Sequence, residues 1–145
     1  MERIKILWVD DDQDFLAVAK KRLANRGCTV QTASTGPEAL ESLRSQNIQV
    51  VILDVKMPGM NGIEVLKKIK TQFPLVQVIM LTGIPTVGCA SDSLKVGALN
   101  YLVKPVDFEE LLQKIEEAYV KGRHLEQKIR ETQIKVLEHK FKGIK

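Results

Sequence analysis

Residues 50–62 read Val50-Val51-Ile52-Leu53-Asp54-Val55-Lys56-Met57-Pro58-Gly59-Met60-Asn61-Gly62. The first four form an unbroken aliphatic run, the pattern of a strand buried on both faces, as in a parallel sheet. The run ends on a charge. Asp54 falls where the strand leaves the sheet, and Pro58, Gly59, Asn61 and Gly62 are residues that turn a chain and let a helix begin. In open α/β sheets that edge is where ligands collect. Asp54 is therefore either an incidental solvated charge or one reserved for a ligand, and the other strand ends decide between the two.

The same alternation recurs on either side. Ile4 to Val9 is a short apolar run, after which Phe15, Ala19 and Leu23 recur at helical spacing until Gly27. Cys28 to Ala33 alternates weakly between apolar and polar, which predicts an edge strand, and Gly36-Pro37 opens a helix carrying Ala39, Leu40 and Leu43. Ile63, Leu66 and Ile69 share a face of the third helix. Val76 to Leu81 is a fourth strand ending at Thr82, and a fourth helix is expected from about Thr86 to Val96, its first turn weakened by Pro85 and Gly88. Leu99 to Val103 is the fifth strand, and Phe108, Leu111, Leu112, Ile115 and Tyr119 line the fifth helix. Five strands alternating with five helices through short connections make a (βα)5 unit. The right-handed crossover rule then gives a doubly wound α/β fold, with a parallel sheet covered on both faces.

With 145 residues, 44% hydrophobic and 28% charged, the chain can bury about two-thirds of its unfolded surface and needs no disulfide or metal staple. No apolar stretch approaches a membrane span, and Met1 opens no secretory signal, so a cytoplasmic protein without membrane contact is expected. Cys28 and Cys89 lack metal spacing and read as reduced, packed thiols. His124 and His139 lie on a polar helix and are not read as ligands.

The net charge of +4 is unevenly placed: residues 1–120 are slightly acidic, and residues 121–145 hold eight Lys and Arg against three Glu. The division expected is a domain over 1–121 and a basic helical extension over 122–145, serving as a linker or a dimerisation helix. The fifth helix should run on past Lys121, with Gly122 as the one joint. Leu125, Ile129, Ile134, Leu137, Phe141 and Ile144 give the extension an incomplete apolar stripe that drifts between heptad registers, which argues against a strong autonomous coiled coil. It has neither a helix-turn-helix nor interleaved aromatics, so nucleic acid is not an expected partner.

The strand ends carry Asp10, Asp11 and Asp12 after the first strand, Asp54 after the third, Thr82 after the fourth and Lys104 after the fifth. Crowded carboxylates repel one another and become compatible when they share a hard divalent cation. With no His or Cys nearby, Mg²⁺ suits the site better than zinc. Carboxylates, Mg²⁺, a hydroxyl and a lysine suit phosphoryl transfer, in which catalysis is largely positioning plus charge neutralisation. Asp54 could then attack phosphorus to give an aspartyl phosphate. Each part alone has an ordinary reading: Asp11 or Asp12 as a helix cap, Thr82 as a strand-end hydroxyl, Lys104-Pro105 as a helix start, Trp8 as core. Convergence on one rim outweighs them.

At these residues the sequence resembles the receiver domain of bacterial two-component response regulators. The resemblance rests on Ile-Leu-Trp-Val-Asp-Asp-Asp at 6–12, Asp-Val-Lys-Met-Pro-Gly-Met-Asn-Gly at 54–62, Leu-Thr-Gly at 81–83 and Gly-Ala-Leu-Asn-Tyr-Leu-Val-Lys-Pro at 97–105. It implies the flavodoxin-like strand order 2-1-3-4-5, with Asp54 as phosphoacceptor. It implies Asp10 and Asp11 as the acidic pair, Mg²⁺ held by Asp11, Asp54 and the backbone carbonyl of Lys56, Thr82 and Lys104 as the hydroxyl and lysine that engage the phosphoryl group, and a cis Lys104-Pro105 bond. Tyr101 matches the aromatic that turns inward when Thr82 moves. Asp12 matches a common acid outside the direct ligands. The implied function is a switch phosphorylated by a histidine kinase or phosphotransfer protein and read out on the helix 4–strand 5–helix 5 face. That face and the C-terminal helix are the surfaces through which two copies could pair.

The sequence departs from typical receivers at Ile84-Pro85-Thr86-Val87-Gly88, which predicts a loosely held helix 4. Lys56 and Ile84 occupy positions that tune loss of the phosphoryl group, and a bulky Ile84 is expected to shield it. The main rival is a Mg²⁺-dependent phosphohydrolase working through an aspartyl phosphate; Asp10-Asp11-Asp12 offers a formal DxD motif, but no cap domain accompanies it. A flavin-binding module is opposed by the acidity of residues 10–14, and a receiver without phosphorylation by the complete set of acids, hydroxyl and lysine. No turnover of a separate substrate is expected.

Overall fold

The computed structural model describes residues 3–57 and 60–143, with Lys56, Met57 and Met60 described by their backbone alone. The expected turn at Pro58-Gly59 lies outside the described residues. Five parallel strands, β1 (Lys5–Val9), β2 (Thr29–Ala33), β3 (Val50–Leu53), β6 (Gln77–Thr82) and β7 (Asn100–Val103), form one sheet in the order β2-β1-β3-β6-β7. The short strands β4 (Lys56–Met57) and β5 (Met60–Asn61) pair antiparallel at the exit of β3. Leaving that ribbon aside, the order is the 2-1-3-4-5 of the receiver resemblance. The helices are α1 (Gln13–Asn25), α2 (Gly36–Ser45), α3 (Gly62–Gln72), α4 (Val87–Val96) and α5 (Phe108–Lys142).

All four side chains of Val50–Leu53 are fully buried, because β3 lies mid-sheet and both its faces are covered. Val51 and Leu53 join Leu7, Val9, Val78 and Met80 against α2 and α3, while Val50 and Ile52 join Ile6, Trp8, Ile79 and Leu81 against α1 and α5. Each fully buried side chain of this size contributes about 1.5–3 kcal/mol. β2, in which only Val30 and Ala33 are buried, is an edge strand as the sequence predicts.

The helix starts follow local chemistry. The Asp12 carboxylate accepts from the N–H of Phe15 (3.0 Å), the Thr35 hydroxyl from that of Glu38 (3.3 Å), Asn61 from that of Ile63 (3.0 Å) and Thr86 from that of Cys89 (3.1 Å). Gly97, at φ +121°, closes α4 in a conformation that L side chains rarely adopt.

One expectation is corrected. Gly122 is not a joint, since α5 runs unbroken over 35 residues, about 52 Å of helix. A Cβ at Gly122 would lie 3.4 Å from the Leu75 carbonyl oxygen, so glycine serves close packing against the loop before β6 rather than flexibility. His124 and His139 are exposed on this helix, and the two cysteines are free thiols. No helix among the described residues is long and apolar enough to cross a membrane.

Candidate functional site

Sheet register places the site. Val9 pairs with Leu53, Leu53 with Met80, and Met80 with Tyr101. Asp10 and Asp54 therefore leave the sheet at one level, Thr82 one residue further along β6, and Lys104 beyond the end of β7. Backbone bonds fix that exit: the Asp54 N–H donates to the Val9 carbonyl (3.0 Å), the Asp10 N–H to Ala33 (3.0 Å), and the Lys104 N–H to Thr82 (2.8 Å).

The carboxylates of Asp10, Asp11 and Asp54 each offer an oxygen, and these atoms lie within 4.8 Å of one another. Asp10 is 1% exposed and Asp54 8%, whereas Asp11 faces solvent. Both oxygens of Asp10 are engaged: Oδ1 accepts from the Asp12 N–H (3.1 Å) and Oδ2 from Lys104 Nζ (2.6 Å). Lys104 Nζ also lies 3.7 Å from Asp54 Oδ2. Three carboxylates facing one ammonium leave an excess of two negative charges, and an all-oxygen donor set of that charge fits a hard divalent cation.

Thr82 is buried at 1% exposure, and its Oγ1 accepts from the N–H of Ile84 at 3.2 Å. Its hydroxyl hydrogen remains able to donate toward the rim. Tyr101, one strand over, packs its ring on the α2–α3 side, with the hydroxyl enclosed beside Cys89 and the backbone of Thr86; burial pushes the phenol up from its ordinary value. The Lys104-Pro105 peptide is cis.

The expected residues Asp10, Asp11, Asp54, Thr82 and Lys104 thus share one edge, with Tyr101 below them. Asp12 does not join the cluster but caps α1. Lys56 stands in β4, directly after the exit of β3, and contributes its backbone to the ribbon. Gly62 is needed for a reason the turn signal did not carry: a Cβ there would come within 2.6 Å of the Asp54 carbonyl oxygen and 2.7 Å of Val55. Sequence reading also missed Phe15. Its ring lies 4.4 Å from Lys104 Nζ and meets Trp8 edge-on at 5.6 Å, so the ammonium rests on an aromatic face as well as between carboxylates. Helical spacing marks Phe15 only as a core residue.

Comparison with known proteins agrees with this geometry. Residues 6–116 match the family described as the response regulator receiver domain. The chain is 39% identical over 131 residues to the transcriptional regulatory protein ZraR of Klebsiella oxytoca, covering 90% of this chain and 30% of that protein. It is 39% identical over 114 residues to the DNA-binding transcriptional regulator NtrC of Escherichia coli (strain K12), covering 78% of this chain and 24% of that protein. The chain thus spans less than a third of these curated relatives. A CheY-like response regulator receiver domain from Methanospirillum hungatei JF-1 superposes with a TM-score of 0.81 at 33% identity, covering 85% of this chain and 98% of that one. A strand order, a strand-end carboxylate cluster with its lysine, and a sequence match over the same residues all lead to one conclusion: this chain belongs to the response regulator receiver domain family.

Proposed function

We propose that this receiver domain is a phosphorylation-activated switch of a two-component pathway, with Asp54 accepting a phosphoryl group from a histidine kinase or a phosphotransfer protein. The observation that carries the reading is the placement of Asp54 on one sheet edge, with a carboxylate oxygen within 4.8 Å of oxygens of Asp10 and Asp11 and with Lys104 Nζ at 3.7 Å. An Asp54 carboxylate oxygen attacks phosphorus. The bond from phosphorus to the donor's imidazole nitrogen breaks, and that nitrogen keeps the electron pair and takes up a proton. Lys104 neutralises one phosphoryl oxygen, and the Thr82 hydroxyl donates to another. Asp10, Asp11, Asp54 and the carbonyl of Lys56 form the set that would hold Mg²⁺, whose chemistry there is charge neutralisation on the transferring group.

Engagement of Thr82 draws Tyr101 with it, and the α4–β7–α5 face changes for the next protein to read. Ile84, 58% exposed beside the rim, shields the phosphoryl group from water. Residues 1–121 act as the switch and residues 122–145 as a basic helical linker toward an output. The names of ZraR and NtrC make control of transcription a reasonable output for a longer protein containing such a domain. No substrate other than its own Asp54 is turned over. The phosphohydrolase reading is not favoured, because residues 6–116 match the receiver-domain family.

Intact mass after incubation with Mg²⁺ and acetyl phosphate tests the reading. A gain of one phosphoryl group in the wild type and none in Asp54→Ala supports it. No gain in either, or equal gain in both, overturns it.

A further inference from the structure

Beyond Gly122, α5 exposes large apolar side chains: Ile129, Ile134, Val136, Leu137 and Phe141 are each about half exposed or more. Their positions are not random. Ile115, Gly122, Ile129 and Val136 recur every seven residues, as do Ala118 and Leu125, and seven residues is nearly two helical turns. Ile115 and Ala118 are buried against the sheet, so this ridge continues the sheet-facing side of α5 past the end of the sheet. Ile134, Leu137 and Phe141 form a second ridge. Leu137 lies eighteen residues, five full turns, beyond Tyr119, which packs on the same cluster. Both ridges thus overhang the amino-terminal edge of the sheet. There a groove of about 720 Å³ is lined by Arg3, Lys5, Leu75, Tyr119, Arg123 and Glu126, among others.

Charge divides the two sides of the extension. On the outer side, Lys121, Lys135 and Lys142 each follow a glutamate by four residues (Glu117, Glu131, Glu138), the spacing at which helical charges neutralise one another. The inner, apolar side is unbalanced. Among the described residues, Arg3, Lys5, Arg130 and Lys140 stand there with Glu126 as the acid, and Glu126 pairs with Arg130 at 2.5 Å. A second copy laid on this side would bring the same cationic excess, and its apolar ridges fill no single heptad register. A helix with an apolar stripe flanked by acids complements both the ridges and the charge.

We propose that the groove beneath the sheet and the inner side of the α5 extension form one docking surface for an acidic amphipathic helix of another protein. The inference does not depend on Asp54 chemistry. It is tested with the full chain by fluorescence anisotropy at physiological salt. The probe is a labelled synthetic helix of about 20 residues, with leucine at i, i+3, i+4 and i+7 and glutamate elsewhere. The wild type is expected to bind it and to ignore the same peptide with lysine for glutamate. Ile129→Ser with Val136→Ser should weaken binding about tenfold or more, with helix content checked by circular dichroism. Arg130→Glu with Lys140→Glu should abolish it. Lys128→Glu with Lys135→Glu, on the outer side and beyond about one Debye length, should leave it unchanged. The proposal is overturned by absence of binding, by equal binding of both peptides, or by equal loss from inner and outer charge reversals. It is also overturned if sedimentation shows a dimer of this chain that Ile129→Ser with Val136→Ser dissolves, because the occupant is then a second copy.

Discussion

Lys104 Nζ lies 2.6 Å from Oδ2 of Asp10 and 3.7 Å from Oδ2 of Asp54. The ammonium is thus anchored on the β1 carboxylate and only leans toward the β3 one. An anion placed beside Asp54 would compete with Asp10 for that ammonium.

Lys104→Ala should therefore act on stability as well as on signalling. Asp10 is 1% exposed, and removing its cation leaves a buried carboxylate facing two others. Loss of one partner of a buried pair costs about 3–5 kcal/mol, with the lower end apt here because the lysine is itself partly exposed. Urea unfolding with and without millimolar Mg²⁺ measures it: a lowered midpoint, partly restored by the ion, is expected. An unchanged midpoint would mean that the pair contributes nothing.

Adjacent acids should separate cleanly. Asp12 caps α1 and Asp11 belongs to the carboxylate cluster. Asp12→Ala should cost about 1 kcal/mol while leaving Mg²⁺ affinity nearly unchanged. Asp11→Ala should weaken Mg²⁺ binding strongly and, by relieving repulsion, leave stability equal or raised. Quenching of Trp8 fluorescence by the ion, beside thermal melts, reads both.

Gly62→Ala forces a methyl group to within 2.6–2.7 Å of the Asp54 and Val55 backbone. Either α3 or the strand exit must shift. Overpacking of this kind costs about 1–3 kcal/mol, and because the displaced backbone carries Asp54, Mg²⁺ affinity should fall too. A variant as stable as wild type with full affinity would show that the ribbon adjusts freely.

pH enters through Lys70. Burial lowers its ammonium below the ordinary 10.5, with Lys121 adding repulsion, even though Nζ donates to the Pro74 and Val76 carbonyls at 3.1 and 2.8 Å. Between the lowered value and 10.5 the unfolded chain binds more protons than the folded one, so stability from this group rises with pH across that window. Thermal midpoints of wild type minus Lys70→Met, followed from neutral to alkaline pH, should climb there. A flat difference counts against burial as the dominant cause.

Cys28 and Cys89 should alkylate at different rates. Burial pushes the Cys28 thiol up, and its side chain is 5% exposed, whereas Cys89 is only half-buried. Iodoacetamide at mildly alkaline pH should modify Cys89 first, with Cys28 following only as the fold opens. Peptide mapping over time decides, and simultaneous labelling would contradict the packing of Cys28 between α1 and the sheet.

Much of this was legible in the residues because it is local. Val50–Leu53 announces a doubly covered strand, and the charged or hydroxyl residue ending each of four strands announces the rim. The polar Thr29, Gln31 and Thr32 in the second strand likewise mark an edge. Spacing could not divide the labour between Asp11 and Asp12, since neighbours on one turn differ only in where the backbone aims them. It could not place Phe15 under Lys104, a contact between distant residues fixed by how α1 lies on the sheet. Gly122 misled for the same reason: a glycine in a helix looks like flexibility until the Leu75 carbonyl beside it is known.

Because α5 continues through Gly122 without a break, the segment beyond the sheet cannot swivel on its own. It behaves as a lever. The roughly 20 residues past Gly122 make an arm of about 30 Å. A tilt of about 10° where Leu111, Ile115 and Ala118 grip the sheet would sweep its tip through about 5 Å. Movements too small to resolve at the rim would be magnified at the far end, at a distance from the carboxylates that no side chain spans.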